Sequence, residues 1–112
     1  MLTIDALRKY GADVEDGLTR CMNMEEFYLE LVRSLTEDQR IYLLEEALKE
    51  NDLDTAFEHA HVLKGMLANL SITPVLKPME EMTEMLRSRT VTDYSQLYRE
   101  AREQFDALCA LV

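Results

Sequence analysis

The run Ala60-His61-Val62-Leu63-Lys64-Gly65 holds the side chains with the clearest chemical potential in the chain. A neutral imidazole is a nucleophile near pH 7. On a helix, residues three and four positions on lie beside it, so Lys64 supplies a cation next to His61 and Gly65 a gap in the side-chain cover. A cation so placed stabilises negative charge on a group moving to or from the imidazole. Glycine inside a helix costs about 1 kcal/mol relative to alanine. A glycine pointing away from the core therefore reads as clearance for something that must come close to His61.

That reading requires a helix with His61 on its outer side. Leu53, Ala56, Ala60, Leu63, Leu67 and Leu70 recur in steps of three and four, the seam of a helix packed in a bundle. At about 100° per residue, His61 falls outside this seam, with Lys64, Gly65 and Ala68 on its own strip. His59 lies about 160° away around the same helix, so the two histidines cannot act together. It is expected to be a partly buried structural residue near Met66. A metal site on His61 and Glu58 finds no second His-carboxylate pair to complete it. No metal and no cofactor are expected.

The rest of the chain predicts more helices. Ile4 to Tyr10 forms a short one ended by Gly11, and Gly17 marks a bend in the stretch up to Met24. A helix from about Met24 to Ser34 carries Phe27, Leu29, Leu31 and Val32. Thr36-Glu37-Asp38-Gln39 has the form of a capping box, with Thr36 as N-cap of a helix running to about Glu50. Asn51 and Asp52 form a turn and the next N-cap, opening the helix of Leu53 to Leu70. Thr73-Pro74 starts another, whose regular part is expected near Pro78 and which ends at about Arg89. Thr92 or Asp93 caps a last helix with Leu97, Ala101, Phe105 and Leu108 inward. The fold class expected is all-α: residues 1–112 as one domain, an antiparallel up-down four-helix bundle with a short N-terminal helical addition.

Composition narrows the function classes. The 112 residues include three glycines and two prolines, few turn-formers for a strand-rich fold, and 47% are hydrophobic, enough for a core. The net charge of −10 disfavours nucleic acid and acidic membrane surfaces as partners. Gly11, Gly17 and Gly65 are too scattered to form a phosphate-cradling loop, so no ATP site is recognisable. Cys21 and Cys109 are expected as reduced thiols. The N-terminus has no basic segment leading into an apolar run. A cytoplasmic, monomeric protein is expected, and Met1 favours a free-standing one.

His61-Val62-Leu63-Lys64-Gly65 resembles the His-x-x-Lys-Gly signature of histidine phosphotransfer (HPt) domains. The flanking Asn51-Asp52-Leu53, Ala60, Tyr10-Gly11 and Asp16-Gly17-Leu18 are similar too, so the resemblance extends over essentially the whole chain. It departs from the family at Met66, where a small residue is frequent, and at Ser71, where glycine is common. The resemblance implies that His61 accepts a phosphoryl group on Nε2 from a receiver-domain aspartate and passes it to another receiver in a phosphorelay. It implies that Lys64 is a charge partner and Gly65 an access residue. It also implies a polar residue on the next helix that orients the imidazole; counting places Thr83 there, with Glu80 and Glu84 nearby. Such a protein is a phosphocarrier, not a kinase, and any magnesium would come from the receiver. The alternative is a catalytically silent helical adaptor that docks a signalling partner, or, more remotely, a metal-binding bundle.

Overall fold

The computed structural model describes all of residues 1–112 and contains seven helices and no strand: α1 (Ile4–Tyr10), α2 (Val14–Arg20), α3 (Glu25–Glu37), α4 (Arg40–Lys49), α5 (Leu53–Leu70), α6 (Thr73–Arg87) and α7 (Ser95–Cys109). α4 to α7 form the bundle, and α5 packs against both α4 and α6. The expected all-helical bundle with an N-terminal addition is what the chain forms. The addition comprises α1 to α3. Its core is continuous with the bundle core, one cluster running from Leu2 to Leu108.

α5 follows its sequence pattern closely. Asp52 accepts the Thr55 N–H at its start, and Ala56, Ala60, Leu63, Leu67 and Leu70 are buried. Leu53, expected in that buried set, is only half-buried, because the first turn opens onto a cleft beside α7. At its other end the helix stops at Ser71, which takes the left-handed conformation (φ 54°) that glycine adopts most readily. The serine is held there by neighbours. Its hydroxyl donates to the Asp16 carboxylate on α2, and its carbonyl accepts the Asp13 N–H. The Tyr28 hydroxyl on α3 donates to the Leu70 carbonyl at 2.8 Å. Burial pushes the Tyr28 phenol up to about 12, so it stays a donor throughout the neutral range.

Four local expectations need correction. Thr36 does not cap α4: it lies inside α3 and donates its hydroxyl to the Arg33 carbonyl. Asp38 does the capping, accepting the Arg40 N–H and pairing with the Arg40 guanidinium at 2.9 Å. Gly17 is no bend but sits in the middle of α2, in contact with Tyr28 and Leu70. α6 is regular from Thr73 rather than from Pro78, because fully buried Val75 and Met79 hold its first turns against the core. It also ends two residues early, at Arg87. Arg89 takes a left-handed conformation (φ 52°) there, and the Thr90 N–H donates to the Met85 carbonyl, closing the helix end. At α7, Asp93 accepts the Ser95 N–H, one of the two caps expected.

Two helical glycines should respond oppositely to alanine. A Cβ at Gly17 would meet Tyr28 Cε1 at 2.6 Å and the Leu70 carbonyl oxygen at 2.8 Å, while one at Gly65 meets nothing within 4 Å. Gly17→Ala should therefore destabilise by roughly 1–3 kcal/mol, and Gly65→Ala should stabilise by about 0.5–1 kcal/mol. Urea unfolding of both variants checks this, and equal signs would contradict it.

The clasp at Ser71 should also fail in acid. The Ser71 hydroxyl first, and Arg20 second, hold the Asp16 carboxyl below its usual range. A carboxyl depressed in the folded state stabilises fully above its unfolded value, near 3.8, and loses that contribution as pH falls through the lowered folded value. The stability difference between the parent and Asp16→Ala should be full at pH 6 and shrink toward pH 2. A difference independent of pH would overturn the assignment.

Candidate functional site

Burying Ala60 turns the next residue outward, so His61 is exposed on the middle of α5. Gly65, one turn on, is exposed and open, and Lys64 is half-buried between them. The three residues singled out in sequence thus lie on one outer strip of one helix. Ala68 continues it, half-buried. His59 is half-buried on another side of α5.

The surroundings of the strip come from α6 and its C-terminal turn. The Lys64 ammonium lies 3.7 Å from a Glu84 oxygen, and the Arg87 guanidinium 3.4 Å from the other. Glu84, noted in sequence only as a neighbour, thus links two cations. Glu80 is exposed on the same helix and forms no ion pair. Thr83, expected beside the imidazole, is fully buried and donates its hydroxyl to the Met79 carbonyl at 2.6 Å, and no side chain hydrogen-bonds to the His61 ring.

What the ring does touch is Phe57. The two ring centroids are 5.5 Å apart and the planes 20° from parallel. The Arg87 and Arg89 guanidinium carbons stand 5.1 and 4.9 Å from the Phe57 centroid. Arg89 is held in turn by Asp54 at 2.6 Å and by the Leu86 carbonyl. Phe57 escaped the sequence reading, although its position four residues before His61 is a spacing at which helical side chains meet. Arg89 could not have been found that way, because it arrives from another helix end.

The strip is an open face rather than a pocket. The largest cleft, about 510 Å³, lies between α4 and the start of α7 and is lined by Glu45, Lys49, Asp93 and Arg99 among others. None of the strip residues borders it. A groove of about 240 Å³ between α3 and α5 is lined by Leu31, Leu35 and Met66 among others, so half-buried Met66 borders the angle between those helices. No three His, Cys, Asp or Glu side chains converge to hold a metal ion. No helix is long and apolar enough to cross a membrane.

Comparison with known proteins gives one match. The family model described as the Hpt domain matches residues 26–111, from the start of α3 almost to the C-terminus, leaving α1 and α2 outside it. No curated protein and no solved structure matches the chain. A seven-helix fold with an outward histidine, and a family match over most of its length, agree: the chain belongs to the Hpt domain family, the histidine phosphotransfer modules of phosphorelays.

Proposed function

We propose that the chain carries a phosphoryl group on His61, accepting it from the aspartate of one receiver domain and passing it to the aspartate of another. The observation that carries this reading is the exposed imidazole one turn from a glycine with nothing within 4 Å of its Cβ direction. In the accepting step His61 Nε2 attacks the phosphorus of an aspartyl phosphate. An N–P bond forms as the P–O bond to the aspartate breaks, and the carboxylate leaves with the bonding electrons. The proton on Nδ1 remains on the ring or passes to solvent. Passing the group on reverses these roles with a second aspartate.

The chain's share of such a reaction is positioning and charge. Gly65 leaves room for the receiver, and Lys64 offsets charge on the transferring group. The donor site is a receiver's, so the chain acts as a phosphocarrier without kinase activity of its own, as a single unit and a monomer. Cytoplasmic residence follows from where receivers work.

Incubation with phosphorylated receivers, followed by detection of acid-labile label on this chain, tests the proposal. His61→Gln should abolish labelling with the fold intact, since an exposed residue contributes little to stability. His59→Gln should label as the parent does. Gly65→Gln should slow transfer by roughly tenfold or more through obstruction of the approach. Label on His59, or undiminished labelling of His61→Gln, would sink the reading.

A further inference from the structure

We propose that Phe57 is a positioning residue for His61, setting the imidazole plane by stacking where no hydrogen bond does so. The inference rests on His61 being the nucleophile.

An exposed histidine on a helix turns freely about two side-chain torsions, and a nucleophile that turns freely spends most of its time misaligned. A polar partner on the neighbouring helix would solve this, but Thr83 is buried and committed to Met79. Phe57 solves it differently. The lone pair of an imidazole nitrogen lies in the ring plane, at the edge. A ring stacked on one face keeps both edges free, so contact at 5.5 Å and 20° restrains the plane without covering either nitrogen.

The support is useful only if Phe57 is itself held, and it is. It is half-buried, with Arg87 and Arg89 against it. Arg89 is fixed by Asp54 on the same face of α5, one turn before Phe57, and by the carbonyl of Leu86. Asp54, Phe57 and His61 follow at three and four residues, so the brace runs along the helix and is closed by the end of α6.

Two variants separate positioning from packing. Phe57→Leu keeps an apolar side chain of similar reach but has no ring to stack, and Phe57→Tyr keeps the ring. Transfer from a phosphorylated receiver at saturation, receiver affinity, urea stability and the NMR shifts of the His61 ring carbon-bound protons are measured for each. Phe57→Leu should slow saturated transfer by roughly three- to tenfold with affinity unchanged, and should shift the His61 ring protons as the aromatic ring current is lost. Phe57→Tyr should restore both rate and shifts. A Phe57→Leu protein that transfers as fast as the parent, or His61 shifts indifferent to the loss of the ring, would overturn the proposal. If the parent itself takes no label on His61, the nucleophile assignment fails instead, and the ring-proton shifts still report whether the stack exists.

Discussion

The structure depends on how closely α5 is approached along one side. Ala56 and Ala60 are fully buried, with nothing beyond Cβ to hold neighbouring helices off. Leu63, Leu67 and Leu70 fill the wider space further along. With that side fixed, rotation of α5 about its axis is no longer free. A residue one position after Ala60 must face out, and those three and four positions further on must share its strip. The exposure of His61 is thus a consequence of core packing.

The N-terminal helices contribute from a distance. α1 and α2 lie outside the family match, yet α2 meets the end of α5 directly. Serine in a left-handed conformation carries a steric penalty that glycine does not. At Ser71 the hydrogen bond to Asp16 offsets it, and Gly17 lets Tyr28 reach the Leu70 carbonyl. The left-handed serine at the end of α5 and the placement of α2 against it are two parts of one arrangement.

The sequence showed most clearly what one helix decides alone. The span of α5, the Asp52 cap, the Gly11 stop and the strip of His61, Lys64 and Gly65 all follow from spacing within a single segment. It misled where two local signals competed. Thr36 and Asp38 both precede an apolar run and both can cap. Leu35, buried in the last turn of α3, holds that helix on the core through Thr36 to Glu37 and leaves the cap to Asp38. Gly17 looked like a bend because nothing nearby reveals that Tyr28 and Leu70 will crowd it. The same limit applies to the candidate site. Counting along α6 reaches Thr83, but which face of α6 turns inward is set by burial of Met79, Met82 and Leu86. Glu84, one residue further, reaches Lys64 instead.

The ion pairs around the strip bear on group-transfer potential. Lys64 and Arg87 share Glu84, and Arg89 is taken by Asp54. A phosphoryl group on His61 would bring roughly two negative charges, and it would compete with Glu84 for Lys64. A site of uncommitted cations would bind such a group deeply and become a sink. A cation already shared with a carboxylate, as Lys64 is with Glu84, would ease arrival without making departure steeply uphill. For a carrier whose cargo must leave as readily as it comes, near-degeneracy of the loaded and unloaded states matters more than affinity, and carboxylates close at hand are a direct way to reach it.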